Sequence, residues 1–89
     1  MAEWSFLTNH AVVLRQLAVN RRVTARELAQ TIGITERTTF KILSDLERGG
    51  YISKQREGRR LCYTVNCSLS LRQRSIAQVP VGNLLSVLN

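Results

Sequence analysis

Between Thr24 and Gly50 two helix-start signals alternate with two helix-stop signals, and no other stretch of the chain restricts its fold as much. Thr24-Ala25-Arg26-Glu27 has the form of a capping box: the Thr24 hydroxyl accepts from the third amide of the helix, and Glu27 reaches back to the Thr24 amide. Leu28, Ala29 and Ile32 give that helix an inner face, and Gly33 stands where a left-handed residue would close it. Thr35 then caps a further helix, with Glu36 in a first turn whose partial positive charge favours an acid. Thr39, Ile42, Leu43 and Leu46 recur at i, i+3, i+4 and i+7, a single apolar stripe, until Gly49-Gly50 ends the helix. Two helices joined by a tight turn containing Gly form a helix-turn-helix.

The flanks supply what such a pair must pack against. A helix is expected over about Thr8 to Val19, capped by Thr8 or Asn9, with Leu7, Ala11, Leu14 and Ala18 at helical spacing and Val13 and Leu17 widening the stripe. Val23 falls in a short extended link. Beyond Gly50, two strand-like runs, Tyr51 to Arg56 and Leu61 to Asn66, are separated by a reverse-turn signal at Glu57-Gly58. Alternation places Leu61, Tyr63 and Val65 on one face, with Ile52 joining them from the other strand. After Cys67 the pattern weakens to an extended run near Ser68 to Arg72 and a break at Pro80. Val81, Leu84, Leu85 and Leu88 then share one face of a helix too short to stand alone, which must pack on the domain or on a second copy.

Charge narrows the function. Thirteen Lys and Arg against six Asp and Glu give +7, in a chain of 89 residues that has room for one modest core. Residues 21–60 carry ten basic and five acidic side chains. A basic excess of this kind points to a polyanion, usually nucleic acid. An anionic membrane would instead want the cations along one strongly amphipathic helix. The longest apolar run, Ala11 to Leu14, falls far short of the roughly 20 residues a membrane span needs. No basic leader precedes Glu3, so a cytoplasmic chain with Cys62 and Cys67 as reduced thiols is expected. One His and two Cys five positions apart make no metal-ligand cluster, and His10 is expected to cap or pack. No nucleophile-base set or Gly-rich phosphate loop is present, so an enzyme is not expected, nor is a cofactor or a small-molecule effector.

The order helix, short extended link, helix, turn, helix, hairpin is that of a winged helix-turn-helix: α+β but mainly α, a three-helix core with a two-stranded wing, plus a short C-terminal helix. From Ser5 to Leu88 the chain resembles small MarR-like winged-helix transcriptional regulators. The residues that carry the resemblance are Leu7-Thr8-Asn9-His10, Gly33-Ile34-Thr35-Glu36-Arg37, Leu46-Glu47 with Gly49-Gly50-Tyr51-Ile52, the tip Arg56-Glu57-Gly58-Arg59-Arg60, Tyr63-Thr64-Val65, and Val81-Gly82-Asn83-Leu84-Leu85. The resemblance implies a DNA-binding repressor or activator without a separate effector domain. Residues 1–66 are then the DNA-binding domain, and 67–89 an extension for packing or dimerisation.

Geometry assigns roles to the remaining side chains. A helix fits the major groove of double-stranded DNA and reads base edges with its N-terminal residues. With the apolar stripe of residues 35–48 turned inward, Arg37, Thr38, Phe40, Lys41 and Ser44 remain outward or flanking: Arg37 for a guanine, Thr38 and Phe40 for thymine methyls, Lys41 and Ser44 for bases or phosphate. Thr35 with the first amides of that helix, and Arg26 on the helix before it, are candidate phosphate contacts. Arg56, Arg59 and Arg60 at the wing tip suit the backbone or an adjacent minor groove. Trp4, Phe6, Leu84, Leu85 and Leu88 are the apolar residues left for a homodimer contact. The alternative from another class is a winged-helix interaction module that binds an acidic protein partner.

Overall fold

The computed structural model describes residues 7–72 and 79–88. Trp4 and Phe6 lie outside the described residues. Four helices and a hairpin follow in the order α1 (Asn9–Val19), α2 (Ala25–Ile32), α3 (Glu36–Arg48), β1 (Ile52–Glu57), β2 (Arg60–Val65) and α4 (Val81–Leu88). The expected winged helix-turn-helix is present, mainly helical with one two-stranded antiparallel sheet.

Local chemistry sets each boundary. The Thr8 hydroxyl accepts from the Ala11 amide and starts α1. Both halves of the Thr24–Glu27 capping box are made, at 3.1 and 3.0 Å. Gly33, at φ +85°, closes α2, and the Gly33 and Ile34 amides both donate to the Ala29 carbonyl. Three residues later α3 begins, its Thr35 cap accepting from the Thr38 amide at 3.0 Å. At the far end of α3, Gly50 takes φ +82°, its amide donating to Glu47 and that of Tyr51 to Leu46. This is a Schellman closure, and it aims the chain directly into the wing.

The three stripes meet in one core. Leu17 of α1, Leu28 of α2 and Thr39 of α3 are at most 1% exposed. Thr39 is polar but satisfied, its hydroxyl donating to the Thr35 carbonyl at 2.9 Å, so the stripe tolerates it at no desolvation penalty. Across the mouth of the α1–α3 packing, His10 Nε2 lies 2.8 Å from Asp45 Oδ2. The hydrogen bond from His10 holds the Asp45 carboxyl below its usual range, and a smaller desolvation opposes it. His10 thus pairs with an acid of α3, and the capping of α1 falls to Thr8.

The hairpin differs from expectation by one residue. The turn is Gly58-Arg59, with Gly58 at φ +63°, so Glu57 and Arg60 form the last pair of the ladder. A glycine in the first position of a two-residue loop matches the twist of the strands, and this selects the register. The apolar face also stops short. Tyr63 and Ile52 are buried, whereas Leu61, opposite Arg56, is 41% exposed because the wing projects past the helical body before the face is complete. Cys62, on the other face, is fully buried, and Cys67 is exposed. The link after α1 runs along the free edge of β2, where the Tyr63 amide donates to the Arg21 carbonyl at 3.0 Å.

The C-terminal extension is part of the same body. Ser70 and Pro80 form an antiparallel bridge, and the Val81 amide donates to the Leu69 carbonyl. α4 then lies against α1, with Arg15 Nε donating to the Leu88 carbonyl at 3.3 Å. Leu85, expected at a dimer contact, is 4% exposed within its own chain, because folding α4 back onto α1 buries Val81 and Leu85 in the common core. Leu84 and Leu88 are half-buried. Between α1, the end of α3 and α4 runs a groove of about 770 Å³, whose described lining includes Ala11, Leu14, Leu84, Arg48 and Arg72.

Gly82 permits this docking. A Cβ on Gly82 would stand 2.7 Å from the Cys67 Cβ and 2.9 Å from the Cys67 carbonyl oxygen, which accepts from the Gly82 amide. Alanine elsewhere in a helix gains up to about 1 kcal/mol over glycine. Here the overpacking cost of about 1–3 kcal/mol outweighs it. Gly82→Ala is expected to lower the melting temperature of the whole domain, by roughly 4–8 °C for each kcal/mol lost, in a single transition followed by circular dichroism.

Candidate nucleic-acid interface

α3 divides its residues cleanly between two faces. Thr39, Ile42, Leu43 and Leu46 are buried, while Glu36, Arg37, Thr38, Phe40 and Lys41 are exposed. The helix-turn-helix thus leaves the N-terminal half of α3 open to solvent with a cation, a hydroxyl and an aromatic ring along it. Phe40 is 58% exposed, a large apolar side chain that the core does not take.

Not every predicted side chain is equally free. Arg37 and Arg26 are exposed and make no ion pair among the described residues. Lys41 lies 3.8 Å from Asp45, a loose pair that leaves the lysine side chain 78% exposed. The Thr35 hydroxyl is engaged on its own helix, accepting from the Thr38 amide and donating to the Thr38 hydroxyl at 2.9 Å. Ser44 is half-buried and accepts from Arg48 at 3.4 Å. Thr35 and Ser44 therefore serve the helix itself, and Arg37, Thr38, Phe40 and Lys41 form its open surface.

The wing carries Lys54, Arg56, Arg59 and Arg60, all exposed, and Glu57 is its one acid. Arg60 lies close enough to the start of α2 to help hold the Glu27 carboxyl below its usual range, after the larger effect of the Thr24 hydrogen bonds. The wing is held to the body by packing of β1 on α3 and of β2 on α1.

Sequence reasoning missed one feature here. Arg21 and Arg22, in the link after α1, both reach Glu57, each through Nη2 at 2.9 Å. Such a contact spans 35 and 36 positions, so no local pattern reports it. The available signal was one acid placed among the wing arginines, opposite a basic pair elsewhere in the chain.

Among the described residues, no group of three or more His, Cys, Asp and Glu side chains converges to hold a metal ion. No described helix is long and apolar enough to cross a membrane.

Comparison with known proteins agrees with this geometry. Among curated protein sequences none matches the chain. The fold is similar to that in a crystal structure from E. coli titled a predicted DNA-binding transcriptional regulator, at 20% identity and a TM-score of 0.61, covering 88% of this chain and 70% of that one. Residues 6–60, a span that takes in α1 to α3 and the wing tip, match the MarR family. That match takes in more than half of the chain, and the chain belongs to the MarR family, a family of transcription regulators and not of enzymes.

Proposed function

We propose that the chain is a sequence-specific regulator that binds double-stranded DNA with α3 in the major groove and the wing on the backbone or minor groove. The observation that carries this reading is the open face of α3, set beside a wing with four cations and one acid. Bases are read by Arg37, Thr38 and Phe40, with Lys41 at the edge of the groove. Arg26, Arg56, Arg59 and Arg60 grip phosphates and set the register. Thr35 and Ser44 contribute by holding α3 in shape.

A single module of this size reads few base pairs, and useful specificity comes from two half-sites about one helical turn apart. A homodimer is accordingly part of the proposal. Leu84 and Leu88, half-buried, and Val87, 75% exposed, are the described apolar residues of α4 that remain available to it. Sedimentation of the wild-type protein at about tens of micromolar should return a dimer, and a monomer there overturns this part.

Two substitutions separate grip from readout. Arg59→Ala with Arg60→Ala removes two phosphate contacts, so binding should weaken on every duplex alike and the log–log salt slope should flatten by roughly two. Arg37→Ala should cost about 1–3 kcal/mol on the preferred site and less elsewhere, relaxing the preference at one position. Equal loss on all sequences would make Arg37 a backbone contact. If the wild-type protein binds no duplex even at low salt, the DNA reading fails and the acidic-protein alternative takes its place.

A further inference from the structure

Residues 21–60 carry a net +5, but the helices hold none of it. Arg26, Arg37, Lys41 and Arg48 on α2 and α3 are matched by Glu27, Glu36, Asp45 and Glu47. The whole excess lies on the wing and on the link between α1 and α2: Lys54, Arg56, Arg59 and Arg60, with Arg21 and Arg22, against Glu57 alone. The structure brings these two segments together, since the link runs along β2 and both of its arginines meet Glu57.

We propose that Arg21 and Arg22 form a further phosphate contact of the DNA face, whose strength Glu57 sets. The proposal rests on the DNA-binding reading above. Each guanidinium offers five N–H donors, and Glu57 engages only Nη2 of each. The two side chains remain 51% and 59% exposed, so donors are left for a second anion. One carboxylate between two guanidiniums leaves the cluster at +1, with Arg60 opposite Glu57 in the ladder and Arg59 in the turn. The carboxylate orients both arginines and prevents them from repelling each other, and a phosphate can join on the solvent side. Glu57 also subtracts one charge from the grip that is blind to sequence. This lowers affinity for arbitrary DNA without touching α3, so Glu57 is a positioning residue that favours specificity.

A pair this exposed contributes little to folding, so loss of stability does not mask the test. The full chain is titrated onto a mixed-sequence duplex and onto its preferred duplex over a range of salt. Arg21→Ala with Arg22→Ala should weaken both complexes and flatten the salt slope by roughly one to two. Glu57→Gln keeps the shape and removes the charge; it should tighten mixed-sequence binding about three- to tenfold, the effect of one charge acting on one or two phosphates roughly 8 Å away. It should also narrow the ratio between the two duplexes. Weaker or unchanged binding by Glu57→Gln would mean that the cluster only braces the wing, and the proposal falls. It falls equally if the Arg21 and Arg22 double variant keeps its slope. A flattened slope for the Arg59 and Arg60 double variant in the same titration would show that the DNA reading survives that failure; no duplex binding by the wild type ends both.

Discussion

Burial of one face of α3 against α1 and α2 is the contact on which the rest of this structure depends. Thr39, Ile42, Leu43 and Leu46 fill the centre, with Leu17 and Leu28 facing them. Because a helix is a rigid cylinder, burying those four residues turns Arg37, Thr38, Phe40 and Lys41 outward with no further instruction. The Schellman closure at Gly49-Gly50 ends α3 and directs the wing alongside it. The exposed surface and the core are two faces of one helix, so a change in the core shifts the exposed surface with it.

The electrostatics divide differently from the secondary structure. α2 and α3 are charge-balanced, and the basic character of the middle of the chain belongs to the wing and to the link. In a regulator this separates two tasks. In the DNA complex proposed above, a charge-balanced α3 would add little to affinity for arbitrary DNA and its contacts would register sequence, while the arginine-rich wing would supply the salt-dependent grip. Glu57 stands at the junction. It joins the link to the wing and moderates the charge of both.

Much of this was legible because it is local. Caps, glycine stops and a 3.6-residue period depend on neighbours within one or two turns, and they placed α1, α2 and α3 within a residue of their observed ends. The turn was placed one residue early, at Glu57-Gly58, because the sequence does not show which position takes the left-handed backbone that Gly58 supplies at the start of the loop. Leu61 was expected inward because alternation assigns a face without saying how far the covering body extends.

Spacing along single elements was enough to give the helix-turn-helix, the presence of a wing and the outward placement of Arg37, Thr38, Phe40 and Lys41 on α3. The tertiary structure alone decided which residues meet across the chain. Arg21 and Arg22 meet Glu57, Arg15 caps the end of α4, and Leu85 enters the domain core instead of remaining for a second copy. The arginine contacts join positions 35 or more apart, and an amphipathic stripe such as that of α4 records that a face must be covered but carries no mark of what covers it. For α4 the deciding fact is the bare backbone of Gly82, which lets the helix approach Cys67 closely enough to close onto its own domain.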